Sequence, residues 1–229
     1  MTTAVVFDYG FGNVRSMVRA LANLGVDTTL TSDYRQSLEA DGLVVPGVGA
    51  FAACMEGLKK VDGDRVIYDR IRAGRPVLGV CVGEQIMFEH GLEHGAHAAG
   101  IGLIGGSVNL LDATWCLTWM GHDRGAPDSV LLNGVENERF YFVHSYAAME
   151  VKPADTSRFD IDLSDSPERV SWCSYGRSRF VAAYEHGPLS VTQFHRKSPG
   201  TLLPAPQELD RHAVKKHEAP SGRGSSNCV

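Results

Sequence analysis

An apolar run, Val77-Leu78-Gly79-Val80, ends in Cys81, with Gly79 two residues before the thiol and Gly83 two after it. That spacing suits a nucleophile carried on a sharp strand-to-helix elbow, where strained backbone and tight surroundings call for glycine on either side. A helix starting near Gly83 would set its N-terminus beside the sulfur and favour the thiolate, the reactive form. The same spacing suits a cysteine that is simply buried at a strand end, since free cysteine is among the most buried residue types. A nucleophilic reading needs a base. Of nine histidines, His195 is the candidate, because the strand-like run Val191-Thr192-Gln193-Phe194 delivers it on a rigid element. His90, His94 and His97 fall in a Gly- and Glu-rich stretch read as a helix end and loop, without the carboxylate-backed spacing of a metal site. Glu84, at the start of the elbow helix, is read as an acid complementing the helix dipole.

The elements that must position these residues alternate in type. Ala4-Val5-Val6-Phe7 is a short β-rich run, and Val14 to Leu24 carries apolar residues at helical spacing before Gly25. Leu43-Val44-Val45 reads as a second buried strand running into Pro46-Gly47-Val48-Gly49. Residues 51–73 read as helical up to Gly74, and Pro76 to Val80 as a third strand. Strands alternating with helices, apolar on both faces, imply an α/β fold with a central mixed, mostly parallel sheet flanked by helices. The second half is strand-rich: Val130-Leu131-Leu132, Phe140 to Val143, Val170 to Trp172, Phe180 to Tyr184 and Leu189 to Phe194, separated by turn signals such as Asn133-Gly134 and His186-Gly187-Pro188. One domain is expected over 1–195. Residues 196–229, poor in apolar residues and rich in Pro, Gly, Ser and basic residues, read as a disordered tail.

The bulk numbers exclude several classes. With 22 Lys and Arg against 27 Asp and Glu, the formal charge of −5 is no footprint of a nucleic-acid binder or a basic membrane-surface protein. No run approaches the roughly 18 apolar residues of a membrane span. The N-terminal residues reach Asp8 too soon for a secretion signal. Five widely spaced cysteines, with no C-x-x-C pair, suggest neither a disulfide framework nor a zinc site, and point to a reducing cytoplasm. No motif calls for a cofactor or a metal.

The segment G-V-C-V-G-E-Q-I-M-F resembles the nucleophile segment of class I glutamine amidotransferases. Five further segments are similar to the glutaminase subunit of imidazole glycerol phosphate synthase. They are D-Y-G-F-G-N-V-R-S (Asp8 to Ser16), P-G-V-G-A-F (Pro46 to Phe51), G-I-G-L-I-G-G-S-V (Gly100 to Val108), R-F-Y-F-V-H-S-Y (Arg139 to Tyr146) and T-Q-F-H (Thr192 to His195). The likeness is collinear over residues 4–195. It implies that Cys81 attacks the carboxamide of glutamine, with His195 as base and then acid. Backbone N–H groups of Val82 and of the Val48–Gly49 loop would form the oxyanion hole. Gln85, His144, Ser145 and Tyr146 would line the glutamine pocket. It also implies a partner: a (β/α)₈ cyclase subunit, forming a heterodimer, that receives ammonia and makes imidazole glycerol phosphate in histidine biosynthesis. Two alternatives stand beside this: a subunit that docks on the cyclase without hydrolysing glutamine, and an amidotransferase of another pathway.

The chain departs from the family pattern where the chemistry needs it most. The family follows its catalytic His with Pro-Glu-Lys-Ser, and that Glu completes the triad. Here His195 is followed by Arg196-Lys197-Ser198: aligned without a gap, Lys197 occupies the Glu position, and aligned to keep Lys-Ser, one residue is lost and the Glu with it. The segment Thr118-Trp119-Met120-Gly121-His122 departs from the family's P-H-M-G-W. A frameshift near residue 196 would account for the lost Glu and the polar tail together. Impaired catalysis is therefore expected.

Overall fold

The computed structural model describes residues 2–112, 117–121, 128–135 and 139–195. The tail expected over 196–229, with Lys197, lies outside them. The first half runs β1 (Thr3–Phe7), α1 (Val14–Ala22), β2 (Asp27–Thr31), α2 (Tyr34–Glu39), β3 (Gly42–Gly47), α3 (Phe51–Lys60), α4 (Gly63–Arg72), β4 (Val77–Cys81) and α5 (Val82–Gln85). There follow β5 (Phe88–Glu93), β6 (Ala96–Ala99), β7 (Ile104–Leu110), β8 (Leu117–Gly121), β9 (Arg139–Val143), β10 (Tyr146–Ala148), β11 (Glu168–Tyr175), β12 (Ser178–His186) and β13 (Leu189–Thr192).

Seven strands form the main sheet in the order β11-β12-β13-β4-β3-β1-β2. β2, β1, β3, β4 and β13 run parallel, and β12 and β11 complete one edge antiparallel. This is the mixed, mostly parallel sheet expected. The β1-to-β2 step goes one way along the sheet, and the β2-to-β3 and β3-to-β4 steps go the other. Right-handed crossovers then put α1 on one face and α2, α3 and α4 on the opposite face. β10-β7-β5-β6 form a smaller sheet, and β8-β9 a hairpin ladder. No helix among the described residues is long and apolar enough to cross a membrane.

The parallel strands formed where the sequence is apolar without alternation: Val5, Val6, Phe7, Leu43, Val44, Val45 and Val77 are all buried. Three expectations need correction. The single helix over 51–73 is two helices, broken at Val61–Asp62, where Asp62 takes the left-handed conformation (φ 52°). Gly63 then lies against Leu58 and Phe7, where a Cβ would come within 2.5 Å of each. The elbow helix is a single turn. Ile86, Met87 and Phe88 are fully buried one after another, and the carbonyls of residues 86–89 accept N–H groups from Gly100, Ile101, Gly102, Leu103 and Ile104. His90 and His97 therefore sit on β5 and β6, ring centroids 4.5 Å apart, rather than in a helix end. Val130-Leu131-Leu132 is a turn, not a strand. The Glu185 carboxylate accepts the N–H groups of Val130 and Leu131 at 2.9 Å, and Ser129 Oγ accepts that of Leu132 at 3.0 Å, so side chains take the donors a ladder would need.

Candidate active site

Cys81 closes β4 with φ 59° and ψ −116°, a conformation that non-glycine residues rarely hold and that marks a strained turn. Its neighbours explain how the turn is tolerated. A Cβ on Gly83 would lie 1.9 Å from the Val45 carbonyl oxygen, one on Gly79 would lie 2.5 Å from the Gly83 oxygen, and one on Gly47 would meet Gly83 N at 2.4 Å. Backbones of β3, β4 and α5 touch without side chains between them, and register sets Gly47 beside Cys81.

The thiol is only 5% exposed. Burial pushes it up to about 12, the nearby Glu84 and Cys54 add to the rise, and the Val82 N–H opposes it. The one-turn α5 carries too few aligned peptides to reverse this, so the thiolate-favouring helix of the sequence reading is not realised. Glu84 does not act as a dipole partner either: it is 1% exposed, and neither carboxylate oxygen has a hydrogen-bond partner. Burial holds its carboxyl well above the usual carboxylate range.

His195 sits beyond the end of β13, its backbone paired with Tyr141 (2.9 and 3.3 Å). Burial lowers its imidazole pKa. It forms no hydrogen bond with Cys81. The side-chain contact at Sγ comes instead from Gln193 Nε2, at 3.8 Å. His144 lies edge-on to Phe142 and Phe180, its Nδ1–H donating to the Tyr146 carbonyl at 3.0 Å. Burial, with His195 nearby, pushes it down to about 4, so it is neutral and its buried Nε2 has no partner. Gln85 is 2% exposed and donates to the Tyr146 carbonyl (2.8 Å) and to Gln193 Oε1 (2.9 Å). Tyr146 thus reaches the centre with its carbonyl, while its ring lies beside His94. Ser145 accepts the Leu111 N–H through its carbonyl.

The Val48–Gly49 loop is held at three points. Tyr9 O–H donates to the Pro46 carbonyl (2.5 Å), Cys54 Sγ to the Val48 carbonyl (3.4 Å), and the Phe51 N–H to Glu93 Oε2 (2.9 Å). Gly49 takes φ 98°, with open space around it. The sequence reading missed Gln193, Cys54, Tyr9 and Glu93. Gln193 and Tyr9 carried a signal, their places in the T-Q-F-H and D-Y-G-F-G-N-V-R-S segments, while Cys54 and Glu93 carried none.

The sequence model for glutamine amidotransferase class-I matches residues 5–201. The chain is 92% identical over 202 residues to imidazole glycerol phosphate synthase subunit HisH of Bifidobacterium longum (strain NCC 2705), covering 87% of this chain and 94% of that one. It is 52% identical over 199 residues to the subunit of the same name from Leifsonia xyli subsp. xyli, covering 86% and 91%. Among solved structures, a glutamine amidotransferase is similar with a TM-score of 0.61 at 13% identity, over 83% of this chain and 89% of that one. Another, from Thermotoga maritima, gives 0.54 at 11% identity, over 85% and 75%. At those identities the structures speak for the fold alone. The strained cysteine elbow, the parallel sheet beneath it and the collinear relatives agree: the chain belongs to the class-I glutamine amidotransferase family.

Proposed function

We propose that the chain is the glutaminase subunit of imidazole glycerol phosphate synthase, releasing ammonia from glutamine for a cyclase partner in histidine biosynthesis. The observation that carries this reading is the 92% identity, collinear over nearly the whole relative, to a subunit of that name. In this chemistry the Cys81 sulfur adds to the carboxamide carbon of glutamine. The C–N bond breaks, ammonia leaves with a proton from His195, and water then cleaves the thioester to glutamate. The Val82 N–H and one from the Val48–Gly49 loop would stabilise the oxyanion, each donor contributing about 3–4 kcal/mol in comparable enzymes. His144 and the Ser145–Tyr146 backbone would flank the bound glutamine. Gln85, with two internal partners, supports the site from behind. The partner would be a (β/α)₈ cyclase.

Turnover in the chain as written is proposed to be slow. Arg196 and Lys197 follow His195 where the family carries its acid. An imidazole without that acid lacks a fixed tautomer and a counter-ion for its protonated form. The buried thiol and the missing Cys81–His195 hydrogen bond favour the second reading, a subunit that docks without hydrolysing glutamine. The deciding experiment is a glutaminase assay of the chain and of the Arg196→Pro/Lys197→Glu variant, each with a cyclase partner. The variant should gain roughly 10²–10⁴ in turnover. Equal, high turnover in both would overturn the proposed impairment, and none in either would favour the docking subunit.

A further inference from the structure

Register brings a second amide side chain to the nucleophile. β13 pairs with β4 in parallel, Thr192 level with Val80, so the next residue on each strand, Gln193 and Cys81, come side by side. The Gln193 N–H donates to the Ala182 carbonyl at 3.0 Å, which keeps its backbone aligned with β12, and its side chain is 1% exposed. Gln85 Nε2 donates to Gln193 Oε1 at 2.9 Å, and its other hydrogen goes to the Tyr146 carbonyl at 2.8 Å. An amide whose oxygen accepts from Gln85 must present its nitrogen elsewhere, and Nε2 faces Cys81 Sγ at 3.8 Å, a separation suited to sulfur. We infer that Gln193 is a catalytic residue of the Cys81 site, its amide donating to the sulfur and holding the thiolate, with Gln85 as the positioning residue that fixes the orientation of that amide.

The inference rests on the reading of Cys81 as the nucleophile and deepens it. Burial pushes the thiol up to about 12, so ionisation needs donors aimed at sulfur. Among the described residues, the titratable groups that act on it are Glu84 on α5, Cys54 on α3 and Tyr9 beyond β1, and none of these is a cation. His195 makes no bond to the sulfur. Among the described residues, stabilisation comes from neutral donors, and two are in place: the Val82 N–H and Gln193 Nε2. A glutamine amide does not titrate, so this donor is present at every pH. Hydrogen bonds strengthen when the acceptor becomes charged, so the contact favours the thiolate over the thiol.

Alkylation by iodoacetamide isolates this effect from turnover. The thiol proton leaves to a base, the thiolate forms the S–C bond, and iodide departs. Rates at Cys81 are measured across pH on the full chain, and on Gln193→Met, Gln193→Glu and Gln85→Met, each checked by circular dichroism. Gln193→Met should slow alkylation roughly 10- to 100-fold at a fixed pH below its midpoint and move the midpoint up. Gln193→Glu keeps the acceptor for Gln85 and sets a titratable oxygen against the sulfur, so its rate should fall furthest at high pH. A merely structural glutamine would leave that variant like wild type. Gln85→Met should slow the reaction by a smaller factor. Folded Gln193→Met and Gln193→Glu chains alkylating as fast as wild type at every pH would overturn the inference. Should both fail to fold, the Gln193 side-chain amide protons of wild type decide it by NMR: they should shift when Cys81 is alkylated, and unmoved signals would overturn it. A repaired chain that turns over no glutamine with its cyclase would instead defeat the glutaminase reading, leaving the alkylation result to stand or fall separately.

Discussion

Glu84 carries two carboxylate oxygens into the interior with no hydrogen-bond partner, one turn from the nucleophile. An unsatisfied buried polar group costs about 1–3 kcal/mol, and at Glu84 the cost depends on pH. Burial raises its folded-state pKa, so the fold binds its proton more tightly than the unfolded chain does. Stability from that proton is complete below the unfolded value of about 4.3 and is lost as pH rises through the folded value. Glu84→Met, close in volume and without the carboxyl, should raise the melting temperature, more at pH 8 than at pH 5. Thermal melts at the two pH values check this, and a wild-type chain more stable than the variant at pH 8 would show that Glu84 has a stabilising partner. The sequence could not place Glu84 correctly, because an acid three residues after an elbow cysteine looks like a helix-dipole partner until the helix proves to be one turn long. Gln193 was hidden for a related reason. By type a glutamine at a strand end has no chemistry, and only the β13–β4 register sets it beside sulfur.

At the scale of elements, the elbow is a contact between three backbones, and its glycines differ in kind from those that close helices elsewhere in the fold. Gly83 must be small because a Cβ would lie 1.9 Å from the Val45 oxygen, a rigid strand atom. Gly74, closing α4 with φ 67°, has nothing within 4 Å of a built Cβ, so only its conformation resists substitution. Gly74→Ala should therefore cost about 1–2 kcal/mol, and Gly83→Ala about 3 kcal/mol or more, with faster general alkylation of cysteines as β3 and β4 separate. Urea titrations rank the two, and equal costs would mean that the elbow can shift to admit a methyl. Strands β1, β3 and β4 were legible in the sequence because burial on both faces leaves an unbroken apolar run. The α3–α4 break was not, since the amphipathic pattern runs through Val61 and Asp62 and only the left-handed Asp62 interrupts it. The turn at 130–132 was equally hidden, because the carboxylate that takes its N–H groups belongs to Glu185, far along the chain.

Across the whole described body, one buried cation ties the entrances of the two strands that carry the site. Arg70 on α4 is fully buried, and no carboxylate forms an ion pair with it among the described residues. Its guanidinium donates to the carbonyls of Ser37 (2.7 Å), Leu38 (3.1 Å) and Ala40 (2.9 Å), and to those of Asp41 (3.4 Å) and Pro76 (2.8 Å). These carbonyls belong to the end of α2, the entry to β3 and the residue before β4, so one side chain fixes the spacing at which the two strands start. At their other ends stand Gly47 and Cys81, paired in register. Burial lowers the guanidinium pKa to about 10, with the Arg75 charge adding to the effect, and the group stays charged at neutral pH. A lysine keeps the charge but offers three donors on one nitrogen, which cannot span carbonyls arranged for a planar fork. Arg70→Lys should cost roughly 2–3 kcal/mol, since several charge-assisted bonds weaken together. Arg70→Met should cost more, because it removes the guanidinium donor from every one of those carbonyls, of which that of Pro76 keeps the Leu43 N–H (3.1 Å). In urea, followed by tryptophan fluorescence, the midpoints should fall in the order wild type, Lys, Met, with the slope unchanged if unfolding stays two-state. In the folded lysine variant Cys81 should still alkylate with its wild-type pH profile, because the lost bonds lie at the far ends of β3 and β4. An Arg70→Lys midpoint equal to wild type would show that charge alone, and not the fork, organises these turns.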